Sequence, residues 1–139
     1  MGTNTNKKEG NAFEVEFCNI LAEMGFWVHN MAQSQAGQPA DVIAVCNGKA
    51  ALIDCKLCSS KGFALSRIEP NQETAMDYWK DCNNGVGWFA IKFQDRIFMV
   101  SKLTIDQLKK RGITCLSYQD LVEYSTSLEL WRTALQWTY

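Results

Sequence analysis

The sequence predicts a single α/β domain built as a mixed β-sheet flanked by helices, and three observations lead there. Two apolar runs, residues 42–45 and 50–53, are separated by an Asn47-Gly48 dipeptide, the strongest short-range signal for a two-residue hairpin turn of type I′. Both runs are apolar throughout rather than alternating, which marks strands covered on both faces. Helical periodicity brackets the hairpin: Phe13, Phe17, Ile20, Leu21 and Met24 recur at helical spacing before it, and Pro70 opens a second helical segment after it. A chain of 139 residues with 47% hydrophobic and 21% charged side chains supplies one core of ordinary composition.

Residues 1–9 read as a flexible polar arm carrying Lys7 and Lys8, and residues 10–139 as the domain. The first helix covers residues from about 10 to 24 and stops at Gly25. Glu14 and Glu16 both lie at the margins of its apolar stripe, and helical geometry does not choose between them. Residues 26–32 read as a strand and 33–39 as a Gln/Ser/Gly loop containing Ser34, after which comes the hairpin. Residues 59–68, with Lys61 and Arg67, form a loop. In the helix that starts at Pro70, Gln72, Met76 and Trp79 share a face. A glutamine on the buried stripe of a first turn either points into a polar site or bonds locally at the helix start. Asn83-Asn84-Gly85 ends that helix. Residues 86–93, with Lys92, and 97–101 form a further hairpin around Gln94-Asp95-Arg96. Residues 104–111 are a short helix capped by Thr104, its basic last turn (Lys109, Lys110, Arg111) closed by Gly112. Residues 113–116 give one more strand, and the chain from Tyr118 onward is largely helical, with apolar positions at Leu121, Leu128, Trp131 and Leu135. The order is one helix, three strands, a helix, two strands and then helical elements, with no repeat and no linker.

The hairpin also carries charge at one end. With Asn47 and Gly48 as the loop, Cys46 faces Lys49, and counting back brings Asp41 opposite Asp54. Carboxylates so placed repel unless positive charge lies between them. Lys56 shares the strand face of Asp54, with Cys55 on the other face, so an ammonium and two carboxylates converge. Solvated charges on an edge strand are the plainer reading, and the apolar runs beside them argue against it. A divalent cation would supply the missing charge.

Other chemistries are poorly served. The six cysteines suit a reducing compartment as small buried residues. Cys55-Lys56-Leu57-Cys58 lacks the second ligand pair of a zinc site and the helical start of a redox motif. His29, the single histidine, sits in an apolar stretch. No apolar run reaches the length of a membrane span, and the polar N-terminus is unlike a signal peptide, which sets the expectation of a cytoplasmic protein. The net charge of −1 and a pI near 5.8 argue against tight non-specific binding to nucleic acid, while the grouping of Lys49, Lys56, Lys61 and Arg67 leaves room for a local basic surface.

These residues resemble the PD-(D/E)XK nuclease superfamily, and within it the Holliday-junction resolvases of the archaeal Hjc and bacterial RecU types. Pro39-Ala40-Asp41 with Asp54-Cys55-Lys56 is similar to the namesake motif, with one residue inserted after the proline and Asp in the second acidic place. Gly10-Asn11-Ala12-Phe13-Glu14 resembles the start of the first resolvase helix and selects Glu14 over Glu16. Gly25-Phe26, the Ser34 loop and Ala90-Ile91-Lys92-Phe93 extend the likeness over roughly residues 7–101. The loop before Asp41 is too short to resemble the RecU stalk, and the last forty residues match no part of the pattern.

The resemblance implies a restriction-endonuclease-like αβββαβ core and a Mg²⁺-dependent, structure-selective DNA endonuclease of recombination and repair, prokaryotic or phage-encoded, with Mn²⁺ as a substitute metal. It implies Glu14, Asp41 and Asp54 as metal ligands with the Cys55 carbonyl, and Lys56 as the group acting on water and phosphate. Lys7, Lys8, Ser34, Lys61, Arg67, Gln72 and Lys92 are accessory candidates toward DNA. A resolvase cuts two strands symmetrically, so a homodimer on branched or duplex DNA is implied as well. The competing readings are another nuclease of the superfamily, restriction-like or end-processing, and a non-catalytic DNA-binding module of the same fold.

Overall fold

The computed structural model describes residues 2–31, 40–59 and 61–138, and side chains between residues 9 and 135 within them. The loop with Ser34 and the side chains of Lys7 and Lys8 lie outside that description. Helix α1 (Gly2–Glu23) leads into β1 (Trp27–Asn30), β2 (Val42–Cys46) and β3 (Lys49–Cys58). A short β4 (Phe63–Ala64) and one 3₁₀ turn (Leu65–Arg67) precede α2 (Pro70–Trp79), which runs into a π-helical turn (Lys80–Asn84). Then follow β5 (Trp88–Phe93), β6 (Arg96–Ser101), α3 (Lys102–Lys110), β7 (Cys115–Leu116), α4 (Tyr118–Tyr124) and α5 (Leu128–Thr138).

The main sheet has the order β1-β2-β3-β5-β6. All neighbours are antiparallel except β3 and β5, which run parallel, because α2 carries the chain over the sheet between them. The mixed sheet flanked by helices is thus the one the sequence predicts. Asn47 (φ 52°) and Gly48 (φ 75°) both take positive φ, and Cys46 pairs with Lys49, as a type I′ turn requires. Both sheet faces are covered. On one face Phe13, Phe17 and Leu21 of α1 and Trp131 and Leu135 of α5 pack on Ile53, Cys55, Ala90 and Met99. On the other, Met76, Ile105, Leu108 and Leu121 pack on Leu52, Phe89, Ile91 and Val100. Consecutive residues of β3 therefore enter different cores, which is why its sequence shows no alternation. Trp131 is fully buried against Phe26, with ring centroids 5.4 Å apart, and so belongs to the core.

Several boundaries differ from the expectation. Backbone helix α1 begins at Gly2, so residues 2–9, read from their polarity as an arm, continue the first helix. Polar composition without Pro is compatible with a helical extension. The short helix α3 starts two residues earlier than expected and is capped by Ser101, whose hydroxyl accepts from the Thr104 N–H. Two hydroxyl residues at i and i+3 compete for such a cap, and the one at the strand end wins because its backbone is already extended. The loop over residues 59–68 is shorter than read, since Phe63 and Ala64 pair with Leu116 and Cys115 in a second, two-stranded sheet.

Candidate active site at the open end of β2 and β3

β2 and β3 separate just past the pair Val42 and Ile53. Asp41 lies at this opening, yet it does not continue the simple register. Its N–H donates to the Ile53 carbonyl at 3.1 Å and its carbonyl accepts from Met31 at 2.7 Å. Val42 and Asp41 thus both address Ile53, as in a β-bulge. The Asp41 carboxylate reaches past Asp54 and accepts from the Cys55 N–H at 2.8 Å. The expected face-to-face pairing of Asp41 and Asp54 is corrected in this respect. An aspartate side chain that captures a backbone N–H pulls its own residue out of the ladder. The two carboxyl groups still interact strongly. Burial first, and then the charge of Asp41, push the Asp54 carboxyl well above the usual carboxylate range, with Lys56 opposing.

Asp54 is 1% exposed. Its Oδ1 accepts from Gln72 Nε2 at 3.0 Å. Its Oδ2 makes no hydrogen bond of proper geometry and has the Lys56 ammonium 3.1 Å away as counter-ion. Three oxygens surround that ammonium: Asp54 Oδ2, the Arg67 carbonyl at 3.2 Å and Gln72 Oε1 at 3.2 Å. With two hydrogen-bond acceptors and one carboxylate counter-ion around it, the Lys56 ammonium is held in place at the site. Gln72 does both things its position allowed. It points into the site, and its Oε1 accepts from the Glu69 N–H at 3.0 Å, closing a capping box with the Glu69 side chain at the start of α2.

Glu14 approaches from the α1 face of the sheet. Burial, and next the charge of Asp41, raise its carboxyl from 4.5 to about 7, with Lys56 acting in the opposite sense. Glu14 Oε2 is buried and has no hydrogen-bond partner. Glu16 points elsewhere: it is exposed and holds Lys92 at 2.7 Å, while the Lys92 ammonium lies over the Phe13 ring. Lys92 is therefore an ion-pair partner of Glu16 and makes no described contact with the carboxylates. A groove of about 460 Å³ runs along the site between Glu9 and Gly10 of α1, Cys55 to Cys58 of β3 with Ser59 after it, and Arg67. A larger cavity of about 660 Å³ lies between α1 and α5, lined by Ile20, Met24, Leu128 and Arg132, and contains none of the candidate residues. Arg67 anchors the groove wall by donating to the Leu57 carbonyl at 2.8 Å and stacking over Phe63. Lys61 is exposed on the turn after β3, where its backbone N–H donates to the Ser59 hydroxyl.

Could this set hold a hard divalent cation? Three carboxylates, two of them raised by burial and by the charge of Asp41, and a buried oxygen on Glu14 without a partner suit oxygen-seeking Mg²⁺. They are not a finished cage: among the described residues no group of three or more His, Cys, Asp or Glu side chains is arranged to hold a metal as it stands. The reason is the two-sided origin of the ligands. Glu14 comes with the α1 layer, Asp54 faces the α2 layer, and Asp41 lies at the opening between them. Sequence reasoning missed the Arg67 carbonyl and Glu69. A backbone acceptor leaves no trace in residue identity, whereas Glu69 three residues before Gln72 was a readable cap signal.

The fold is similar to that of Archaeoglobus fulgidus Hjc, a Holliday junction resolvase from an archaeal hyperthermophile, with a TM-score of 0.55 and 17% identity over 69% of this chain and 75% of that one. At that identity the likeness shows the fold. No curated protein matches the sequence. A family model described as archaeal Holliday junction resolvase (Hjc) matches residues 5–133, and over that span, which includes every site residue described above, the chain belongs to the archaeal Holliday junction resolvase family.

Proposed function

We propose that the protein is a Mg²⁺-dependent endonuclease that hydrolyses phosphodiester bonds in four-way DNA junctions, with Glu14, Asp41, Asp54 and Lys56 as its active residues. The observation that carries this reading is the buried, unpartnered Glu14 Oε2 together with an aspartate pair whose cation among the described residues is Lys56. Carboxyl groups crowded enough to be pushed toward their neutral forms mark a place where a bound cation would relieve them and receive a phosphodiester, itself an anion. Glu14, Asp41 and Asp54, with the Cys55 carbonyl, would hold the cation. When bound, it supplies Lewis acidity toward the scissile phosphate and the attacking water.

Lys56 contributes a fixed ammonium at the groove wall, positioned to stabilise the charge that builds on the phosphate oxygens. The Cys55 N–H holds one oxygen of Asp41 and so orients the other. Arg67 lines the groove, and Lys61, Lys7 and Lys8, with Ser34, are the accessory groups for the DNA backbone. Lys92 joins them only by exchanging Glu16 for a phosphate. Symmetric cutting of a junction calls for a homodimer, which light scattering of the free protein would show. No described helix is long and apolar enough to cross a membrane; a cytoplasmic location goes with the nuclease function proposed here.

Incubating the protein with labelled four-way junctions, flaps and linear duplex in Mg²⁺ or in chelator tests the proposal. Paired, metal-dependent cuts in the junction alone support it. Equal cutting of linear duplex would assign another nuclease activity, and binding without cutting would assign a junction-binding module.

A further inference from the structure

We propose that Gln72 is the positioning residue for cleavage, setting the Lys56 ammonium relative to Asp54 and acting through Lys56 rather than on the substrate; the inference rests on the nuclease function proposed above. Lys56 hangs on a flexible four-carbon stem. Of the groups around its ammonium, Arg67 offers a backbone carbonyl and Asp54 a carboxylate. Gln72 alone among them bonds both the ammonium and Asp54, through Oε1 at 3.2 Å and Nε2 at 3.0 Å. It thereby fixes cation and anion with respect to each other.

The orientation of this amide is determined by its surroundings. Oε1 also accepts from the Glu69 N–H. Turning the amide over would set its NH₂ against an ammonium and a backbone donor, and its carbonyl against a carboxylate, so one orientation satisfies every contact. The residue is 7% exposed, and its amide atoms are engaged by Lys56, Asp54 and the Glu69 N–H rather than turned to solvent. Its place is in turn held by the capping box at the start of α2. Rigid support of this sort matters because a displacement of about 1 Å in an acting group can slow a reaction by about 100-fold.

The test compares wild type, Gln72→Ala, Gln72→Glu, Lys56→Ala and the Lys56→Ala/Gln72→Ala double variant. Single-turnover cleavage of a labelled four-way junction is measured in Mg²⁺ and junction affinity in Ca²⁺. Gln72→Ala is expected to cut at least ~10-fold more slowly with affinity held within ~2-fold, since many phosphate contacts share the binding. In the Lys56→Ala background the same change should cost less than ~2-fold, because coupled residues are not additive. Gln72→Glu keeps the acceptor oxygen and loses the donor to Asp54, so it should recover rate as pH falls, when a proton restores the donor. Multiplicative losses in the double variant would overturn the proposal, as would a wild-type rate for Gln72→Ala. An affinity loss equal to the rate loss would make Gln72 a helix anchor only. If Gln72→Ala does not fold, Gln72→Met, which keeps the volume, takes its place. Wild type that never cuts would sink the nuclease function itself, a result separable from all of these.

Discussion

Replacing Lys56 by alanine removes the cation from the centre of the site, and its cost can be worked out from the surroundings. Asp54 Oδ2 loses its counter-ion at 3.1 Å while 1% exposed. Breaking a buried ion pair by removing one partner costs roughly 3–5 kcal/mol, and Lys56, whose side chain is 12% exposed, belongs near the low end. At pH 8 the variant should therefore be about 3 kcal/mol less stable, a fall in Tm of about 10 °C for a domain of this size. Acid reduces the loss. The native Asp54 carboxyl already titrates above its unfolded value, so the native state binds its proton more readily and stability declines as pH rises through the raised value. Without Lys56, which opposes that rise, the window extends further upward, and the deficit should shrink as pH falls and the carboxyl takes up its proton. Circular dichroism melts at pH 5, 6.5 and 8 measure this. Single-turnover cleavage should drop at least ~100-fold, as for one lost electrostatic stabiliser. Junction affinity in Ca²⁺ should barely change, with a salt dependence flatter by about one unit of slope. A variant that melts like wild type at pH 8, or cuts at its rate, would show that Lys56 is a solvated strand lysine.

Asp41→Asn should melt higher than wild type without metal, because it relieves the repulsion on Asp54 and Glu14, and Mg²⁺ or Mn²⁺ should no longer raise its Tm as mass action does for wild type; an undiminished metal response removes Asp41 from the site. Glu14→Gln should abolish cleavage with folding intact, whereas Glu16→Gln, which frees Lys92 from an exposed pair, should cut normally, and the reverse result would transfer the role to Glu16. Metal-free wild type should lose stability as pH rises from about 4.5 to about 7, since the Glu14 carboxyl is raised over that range and the native state holds the proton longer; the decline should be smaller in Glu14→Gln melts. Gly87→Ala would place a Cβ 2.5 Å from Met76 Cγ in the core, so chemical denaturation should show a loss of about 1–3 kcal/mol, and an unchanged midpoint would mean that Met76 has another place to go.

What the residues disclosed depended on whether a rule tied identity to geometry. Asn47-Gly48 fixed the turn because few dipeptides tolerate two positive φ angles, and the turn fixed which residues of β3 share a face. The same reasoning failed at Asp41, where a side chain competing for the Cys55 N–H shifted the strand end by one residue; no count from the turn detects such competition. Glu14 and Glu16 lie at the two margins of one apolar helical stripe, and only packing onto the sheet turns one toward the aspartates and the other to Lys92. The start of α1 was obscured because polar residues without periodicity suit an exposed helix and a loose arm equally. Lys56 was placed by period-2 alternation, but its acceptor from Arg67 is main chain and belongs to the path of the 3₁₀ turn, which sequence does not specify.

The capping box at the start of α2 has a dynamic consequence. The Glu69 amide proton is held by the same Gln72 oxygen that receives the Lys56 ammonium, so fraying of the first turn of α2 and loosening of the lysine are one event. Opening of such a turn is a local equilibrium with its own free energy, smaller than that of global unfolding. Hydrogen exchange at Glu69 would then count the molecules whose lysine has momentarily lost Gln72 and keeps only the Arg67 carbonyl and Asp54. Its rate, followed as temperature or flanking sequence is varied, would measure how much of the population stands ready to react at any instant.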